Sequence, residues 1–353
     1  MSDRIPVAVL GATGVVGQEL VRRLVDHPWF ELVAVGASEA SVGKRYDDAV
    51  RWSPRDLPPA ACDLTVSPCT PDAINTPIVF SALDSAVAGE IEPAFARAGA
   101  LVVSNASNHR LDEDVPLLIP EVNADHLGLL GRQRVRRGWT GGIVTNPNCA
   151  TAVIALALAP LHETFGLKEY WVTTLQAISG AGHPGVASLD ILGNIIPWID
   201  GEEEKIVGES RRLLGAFDGD VVRSASFGVS AQVTRVPVEQ GHTTCIAARF
   251  ARPVGAGEVE AVLRGWRSSI VDLGLPSAPR EPLLIRSERD RPQPRRDAAA
   301  GDGMSVSVGR IREDGGGGIR LVALGHNLVR GAAGAAVLNA ELCVARGLTP
   351  QPP

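Results

Sequence analysis

A glycine-rich turn near the N-terminus constrains the fold of this chain more than any other feature. The apolar stretch Pro6–Leu10 predicts a short strand, and Gln18–Val25 predicts an amphipathic helix. Between them lies the sequence GATGVVG, residues 11–17. Gly11 and Gly14 let the backbone approach phosphates, and Gly17 lets a helix pack closely against a strand. With a strand before it and a helix after it, the turn predicts a dinucleotide pyrophosphate site rather than an ordinary tight turn.

The bulk properties indicate two globular domains without a nucleic-acid or membrane partner. At 353 residues with a net charge of −6, the chain offers no electrostatic reason to bind nucleic acid or an acidic membrane. No apolar run is long enough and polar-free enough to span a bilayer. The five cysteines are odd in number and widely spaced, which argues against a disulfide framework and favours a reducing, cytoplasmic location. No residue pattern predicts a metal site.

The residues after the second predicted strand, Leu32–Val35, bear on the choice between NAD and NADP. An NAD enzyme usually has an acid at the tip of this strand, where it binds the ribose hydroxyls. Glu39 favours that arrangement, but the strand tip itself is the sequence GAS, residues 36–38. Two hydroxyls and two cations that suit a 2′-phosphate follow: Ser38, Ser41, Lys44 and Arg45. We therefore predict a preference for NADP, although Lys44 and Arg45 also fit a solvated loop.

A single cysteine lies where a predicted strand gives way to a predicted helix. Ile143–Thr145 reads as a short strand, Asn146–Asn148 as a turn, and residues 150–158 as an apolar helix. Cys149 is therefore expected at a helix N-terminus, where the dipole and unpaired N–H groups stabilise a thiolate. The same N–H groups could stabilise an oxyanion on a carbonyl that the thiolate attacks. A lone cysteine is more often a small buried residue, so this hypothesis needs support from elsewhere in the chain.

Other polar segments complete the candidate site. Arg110 ends a polar loop after the predicted strand Leu101–Ser104, where it can clamp an anion. Arg235 and His242 flank a predicted turn, so both can face one cleft. The arginines at positions 132–137 and the polar stretch 286–303 are predicted to be exposed loops. In the second half, residues 170–177, 229–236 and 243–250 are predicted strands, and two further strands, residues 306–311 and 319–323, indicate an antiparallel sheet with a glycine-rich hairpin between them.

Taken together, these motifs resemble the aspartate-semialdehyde dehydrogenase family, in the branch typical of archaea and fungi. The resemblance extends over nearly the whole chain. Beyond the glycine turn, its carriers are DVPLLIPEVN (114–123), TNPNC (145–149), Gln176 with SGAG (179–182), NIIP (194–197), RVPV (235–238) with GHT (241–243), and His326-Asn327 through Glu341.

The resemblance implies an α/β fold with two domains. An N-terminal Rossmann-type dinucleotide-binding domain would comprise residues 1–148 plus 326–353. An α+β catalytic and dimerisation domain would comprise residues 149–325. The cofactor would be NADP, and the partners would be a small-molecule substrate, inorganic phosphate and further copies of the chain in a homodimer or homotetramer.

The resemblance also implies roles for individual residues. Cys149 matches the nucleophile, His242 the acid/base and Gln176 the residue that orients the substrate. The substrate-binding residues would be Arg235 for a carboxylate, Glu203 for an amino group, Arg110 and Lys205 for phosphate, and Asn148. The cofactor-binding residues would be Gly11, Thr13, Gly14, Val15, Val16, Ser38, Ser41, Ser179, Gly180 and Asn327. Ala40 stands where many relatives have an arginine near the 2′-phosphate, and Ala150 where the family often has Ser or Thr.

The implied chemistry is a reversible phosphorylating oxidation of an aldehyde. A thiolate attacks the aldehyde, His242 takes the hydroxyl proton as hydride leaves, and phosphate attacks the resulting thioester. Biosynthesis would run these steps in reverse, from aspartyl phosphate to the semialdehyde. Malonyl-CoA or succinyl-CoA reduction is an alternative within the same branch, and N-acetyl-glutamyl-phosphate reduction is a more distant one. A non-catalytic regulatory paralogue is a further alternative, disfavoured because Cys149, Gln176, Arg235 and His242 are all retained.

Overall fold

The computed structural model describes residues 4–51 and 56–349, and its first layer is a parallel six-stranded sheet. The strands are β1 (Ile5–Leu10), β2 (Phe30–Ala37), β3 (Val66–Pro68), β4 (Ile78–Ser81), β5 (Leu101–Ser104) and β6 (Gly142–Thr145). Their spatial order is β3-β2-β1-β4-β5-β6, and every neighbouring pair is parallel. From β1 the chain adds strands first on one side of the sheet (β2, β3) and then on the other (β4, β5, β6), so the strand order reverses between β1 and β4. Sheets of this class bind ligands at the carboxyl ends of the strands beside such a reversal.

Helices of very different lengths connect and cover the strands. They are α1 (Val15–Val25), α2 (Tyr46–Ala49), α3 (Pro59–Cys62), α4 (Ser85–Arg97), α5 (Pro120–Asn123), α6 (Leu129–Arg137), α7 (Cys149–Phe165), α8 (Ser188–Ile191), α9 (Glu202–Leu213), α10 (Ala256–Gly265), α11 (Pro294–Asp297) and α12 (Gly334–Ala345). Strands β4, β5 and β6 are buried at every position, as expected for parallel strands covered on both faces. Within the described ranges, no helix combines the length and the apolar character needed to cross a bilayer.

The second half of the chain forms a mixed sheet. Its strands, together with the small antiparallel pair β8–β9, are β7 (Leu167–Gln176), β8 (Ala216–Phe217), β9 (Val222–Arg223), β10 (Gly228–Arg235), β11 (His242–Phe250), β12 (Leu283–Ile285), β13 (Val306–Glu313) and β14 (Ile319–Gly325). The order is β10-β7-β11-β14-β13-β12. The pairs β7–β10 and β12–β13 are parallel, whereas β13 and β14 form the antiparallel pair predicted from the sequence. The parallel sheet of the first half and the mixed sheet of the second half, each packed with helices, confirm the predicted α/β fold class.

Two apolar helices, α7 and α12, contribute many of the residues in the two hydrophobic cores. Helix α7 is buried along almost its whole length and shares one core with the inner face of the second sheet. Residues of α12, including Val337 and Leu338, share another core with the first sheet. The last helix thus packs with the first half of the chain. The domain boundaries at residues 148 and 326 remain a prediction.

Two segments predicted to be exposed loops have defined structure. All four arginines from 132 to 137 lie on α6, because Leu129, Leu130 and Gln133 anchor one face of that helix in the protein. The stretch 286–303 folds around the fully buried carboxylate of Asp297, which accepts hydrogen bonds from Arg291 and from the Gln293 N–H. Charge-rich composition alone does not distinguish such structures from solvated loops.

A buried ion pair holds the start of the C-terminal segment. Arg330 lies in a single π-helical turn, Val329–Ala333, that leads into α12. Its guanidinium donates two hydrogen bonds to the Glu121 carboxylate, at 3.1 and 2.5 Å, and a third to the Met304 carbonyl. Both side chains of the pair are only 1% exposed. Removing one partner would leave an uncompensated charge in the interior.

We expect Arg330→Met to lower the free energy of unfolding by about 3–5 kcal/mol, because Glu121 loses its buried counter-charge. The matched control is Arg264→Ala, which breaks the exposed pair with Glu260 and should cost less than about 1 kcal/mol. Adding Glu121→Leu to Arg330→Met should restore part of the loss. Urea denaturation measures all three variants, and equal stability of the Arg330 and Arg264 variants would contradict the assignment.

Candidate active site

One cleft of about 1220 Å³ extends from the glycine turn after β1 to the N-terminus of α7. Gly11 is required at its edge, because its φ is +70° and a Cβ there would lie 2.4 Å from the Ala82 carbonyl oxygen. Gly14 caps α1 without a side chain, so no side chain occupies the N–H groups of the first helical turn. These N–H groups and the helix dipole suit a pyrophosphate, so the turn fits the predicted dinucleotide.

The structure brings most of the predicted site residues to this cleft. The lining includes Gly11, Thr13, Gly14, Val15, Val16, Ser38, Arg110, Asn148, Cys149, Gln176, Ser179, Gly180, Lys205, Arg235 and Asn327. His242 lies behind this surface and contacts Cys149. Ser41 lines a smaller adjoining cavity. Glu203 lies outside both cavities.

Cys149 and His242 meet at the floor of the cleft. Cys149 is the first residue of α7 and His242 the first residue of β11, and Sγ lies 3.1 Å from Nε2. The Ala177 N–H donates to His242 Nδ1 at 3.1 Å. A neutral ring that accepts at Nδ1 carries its hydrogen on Nε2, and this hydrogen faces the sulfur. The resting histidine is therefore a hydrogen-bond donor to Cys149, and proton uptake at Nδ1 would break the bond from Ala177.

Asn148 caps α7 and changes the expected role of its N-terminus. The Asn148 Oδ1 accepts hydrogen bonds from the N–H groups of Ala150 and Thr151, at 3.0 and 3.2 Å. Two of the helix N–H groups that the sequence offered to an oxyanion are therefore already bonded to an N-cap side chain. The Asn148 Nδ2 donates to Glu202, and the Asn148 N–H donates to Glu209 at 2.5 Å.

Burial governs the ionisation of the central pair. It raises the pKa of the Cys149 thiol, and the Glu202 carboxylate raises it further, whereas Arg110 and Arg235 lower it. Burial also lowers the pKa of His242, with Arg235 and His326 adding to the effect. Both shifts favour a neutral thiol beside a neutral imidazole while the cleft holds no substrate. The sequence predicted a stabilised thiolate, and desolvation outweighs the helix terminus here.

The cations of the cleft differ in how they are paired. Arg235 is buried and donates to the Ala177 carbonyl at 2.7 Å, and no carboxylate of the described chain forms an ion pair with it. Arg110 is held by the Glu209 carboxylate and the Asn105 carbonyl, while its buried Nε has no hydrogen-bond partner. Lys205 forms an ion pair with Glu202 at 3.2 Å. An unpaired guanidinium and an unsatisfied N–H both suit anionic groups of a ligand.

The structure places Glu202, rather than Glu203, in the cleft. The Glu202 carboxylate accepts hydrogen bonds from Asn148, Gln176 and Lys205. Glu203 instead accepts from the Val233 N–H on β10, because the next residue of a helix points about 100° away. The run of acids at the start of α9 concealed this helical phase in the sequence.

Glu209 is a buried residue of the site that the sequence interpretation missed. It lies two turns after Glu202 on α9, so the spacing of 202, 205 and 209 marks one helix face. Its carboxylate accepts from Arg110 and from the Asn148 N–H. Burial raises the pKa of Glu209, whereas these two donors lower it. Glu209 thereby links Arg110 to the residue before the cysteine.

Asn327 connects the loop of residues 179–182 to the residue that precedes β11. Its Oδ1 accepts from the Gly241 N–H and its Nδ2 donates to Ser179 Oγ, both at 2.9 Å. Gly180 lies so close to the site that a Cβ there would be 2.9 Å from Arg235 Nη1 and 3.1 Å from His242 Cε1. The loop therefore forms one wall of the cleft and needs glycine at this position.

The fold and the cleft together define a class of protein. A Rossmann-type sheet carries a dinucleotide-type glycine turn, and the same cleft ends on a paired cysteine and histidine between fixed cations. These are features of dinucleotide-dependent oxidoreductases that act through a cysteine nucleophile.

Comparison with known proteins is consistent with this class. Residues 6–130 match the model of the semialdehyde dehydrogenase NAD-binding domain, and residues 158–330 match that of the semialdehyde dehydrogenase dimerisation domain. The aspartate-semialdehyde dehydrogenase of Archaeoglobus fulgidus is 51% identical over 97% of this chain and 98% of its own. That of Cryptococcus neoformans is 46% identical over 99% of this chain and 100% of its own.

A solved structure is similar over the same extent. The crystal structure of aspartate-semialdehyde dehydrogenase with NADP from Candida albicans has a TM-score of 0.89 and 42% identity, covering 98% of this chain and 100% of that one. The chain belongs to the aspartate-semialdehyde dehydrogenase family. The family resemblance read from the sequence is thereby confirmed.

The placement of the two adjacent acids is testable through the thiol. The charge of Glu202 raises the pKa of Cys149, so Glu202→Gln should lower it and move the pH profile of iodoacetamide alkylation to lower pH. Glu203→Gln is the matched control and should leave the profile where it is. A shift caused by the Glu203 variant alone would mean that the helical phase assigned to α9 is wrong.

Proposed function

We propose that this protein is an NADP-dependent aspartate-semialdehyde dehydrogenase that converts L-aspartyl 4-phosphate to L-aspartate 4-semialdehyde through a cysteine thioester. The observation that carries the proposal is the Cys149–His242 contact at the end of a cleft that begins at the dinucleotide turn. Close relatives named for this activity favour an acyl phosphate over malonyl-CoA or succinyl-CoA as substrate.

Charge complementarity supports this substrate. Aspartyl phosphate carries an α-carboxylate, an α-ammonium and an acyl phosphate, and the cleft offers a partner for each. Arg235 has an unpaired guanidinium for the carboxylate, and Glu202 provides a carboxylate for the ammonium. Arg110 and Lys205 are the cations for the phosphate, and the partnerless Nε of Arg110 leaves a donor for it. Gln176 lies between Glu202 and Thr174 and orients the reacting acyl group.

The thiolate of Cys149 attacks the acyl carbon in the first step. The carbon–oxygen bond to phosphate breaks, a carbon–sulfur bond forms, and inorganic phosphate leaves beside Arg110 and Lys205 with the proton that the Cys149 thiol has lost. Bound substrate assists ionisation of the thiol, since its ammonium offsets the charge of Glu202 that raises the pKa of Cys149. The product of this step is an aspartyl thioester on Cys149.

Residues of the glycine turn and Ser38 would hold NADPH in the cleft, together with Ser179, Gly180 and Asn327. NADPH, when bound, supplies the hydride that reduces the thioester carbon. The His242 Nε2–H donates a hydrogen bond to the developing oxyanion of the thiohemiacetal, and then to the sulfur as the carbon–sulfur bond breaks and the aldehyde leaves. Reduction of the thioester to the aldehyde needs no net proton transfer to the imidazole ring, which agrees with a histidine kept neutral by burial.

A homo-oligomer is part of the proposal. The outer face of the second sheet carries a shallow depression lined by Trp171, Cys245, Arg312 and Arg320 among others, and Trp171 is 40% exposed there. The family model matched by this half of the chain is that of a dimerisation domain. A second copy packed on this face would produce a homodimer, and two such pairs would produce a homotetramer.

The proposed substrate is tested by NADPH oxidation with purified protein. We expect turnover with L-aspartyl phosphate, and none with malonyl-CoA or succinyl-CoA, because neither thioester has the ammonium that Glu202 would bind. Cys149→Ala should abolish turnover while NADPH binding persists. Turnover with a CoA thioester in place of aspartyl phosphate would refute the substrate, and an active, folded Cys149→Ala variant would refute the nucleophile.

Two further variants separate substrate binding from chemistry. Arg235→Lys keeps the charge but loses the two-pronged donor, so KM for the semialdehyde should rise with a smaller fall in kcat. His242→Ala removes the donor to the sulfur and oxygen, so kcat should fall on the order of 10²–10⁴-fold. Steady-state kinetics distinguish these outcomes. Wild-type kcat in the histidine variant, or an unchanged KM in the lysine variant, would overturn the corresponding role.

A further inference from the structure

A second cavity adjoins the cofactor end of the main cleft. It has a volume of about 280 Å³ and shares Thr13, Val15, Ser38 and His183 with the cleft. Beyond these shared residues, its wall includes Ser41 and Arg51. A dinucleotide lying on the glycine turn would have its adenosine ribose near Ser38, at the tip of β2. The small cavity is thus an extension of the cofactor site at the ribose.

The backbone places Arg51 beside the glycine turn. Arg51 follows α2, and α2 is fixed under the turn because the buried Tyr46 hydroxyl donates to the Ala12 carbonyl at 2.9 Å. Ala49, from the same segment, also lines the cavity. No carboxylate in the described part of the chain forms an ion pair with Arg51, and its side chain is exposed to solvent. Its charge therefore remains available to an anion in the cavity.

The cations predicted from the sequence are directed elsewhere. Arg45 forms ion pairs with Asp47 at 2.8 Å and with Asp63 at 2.6 Å. The Lys44 carbonyl accepts from the Val66 N–H and Arg45 bridges to Thr65, so this stretch of backbone is paired with the edge of the sheet. Neither side chain lines the cleft or the small cavity. The prediction that Lys44 and Arg45 face a 2′-phosphate is therefore not supported by their placement.

We infer that Arg51 supplies the cation that binds the 2′-phosphate of NADP, beside the hydroxyls of Ser38 and Ser41 in the same cavity wall. A guanidinium binds a phosphate monoester through paired hydrogen bonds, and serine hydroxyls supply additional donors. Ala40 contributes no charge to the same wall. The inference rests on the proposed cofactor site and adds the cation that selects the phosphorylated ribose.

Binding calorimetry with fragments of the cofactor tests the inference without turnover. The ligands are adenosine 2′,5′-bisphosphate, which carries the 2′-phosphate, and adenosine 5′-monophosphate, which does not. We expect Arg51→Ala to weaken the bisphosphate on the order of ten- to a hundredfold and to leave the monophosphate unchanged. Arg51→Lys should recover part of the loss, since it restores the charge without the planar donor.

Arg45→Ala is the matched control, because it removes the same charge six residues away. It should change the affinity of either ligand by less than about threefold, since exposed charges outside the subsite are screened. Equal effects of the two variants, no effect of Arg51→Ala, or loss of both ligands together would overturn the role of Arg51. If neither ligand binds the wild-type protein, the proposed cofactor site fails as well, whereas a wild type that binds both equally refutes only the 2′-phosphate subsite.

Discussion

The site depends on one asparagine, Asn148, whose side chain accepts hydrogen bonds from backbone N–H groups in the first turn of the buried helix α7. Asn148 Oδ1 caps two N–H groups of α7, its amide nitrogen holds Glu202, and its own N–H is held by Glu209. Because all three groups are buried, each would be costly to leave without a partner. The cap therefore fixes Cys149 at the first helical position and at the same time fixes α9 against it.

The same constraint explains the chemistry that the site favours. With the α7 N–H groups at positions 150 and 151 bonded to the cap, His242 supplies a side-chain donor, its Nε2–H, 3.1 Å from the reacting sulfur. The Ala177 N–H selects this tautomer, and burial keeps the ring neutral. A neutral donor stabilises a developing oxyanion or thiolate without becoming a source of protons. Gly331 packs against Cys149 so closely that a Cβ at this glycine would lie 2.5 Å from the cysteine Cβ.

Much of the fold and of the site was predictable from local sequence, and the predictions that failed all depended on how distant segments pack together. The glycine turn, the strand before Cys149 and the turn between Arg235 and His242 have strong local signals, and the structure brings them together. Glu202 and Glu203 are adjacent acids, and only the exact phase of α9 decides which one faces the cleft. Arg51 and Glu209 have no motif, because their positions follow from the packing of α2 and α9 against distant segments. Desolvation of Cys149 is likewise a property of the assembled core.

The central claim is that Cys149 forms a covalent acyl intermediate between the acyl phosphate and the aldehyde. Incubation with L-aspartyl phosphate in the absence of reduced cofactor, followed by peptide mass spectrometry, tests it most directly. The account predicts an aspartyl thioester on the peptide that contains Cys149, released as the semialdehyde when NADPH is added. An adduct on another cysteine, such as Cys69 in the same cleft, or turnover without any acyl adduct on Cys149, would contradict it.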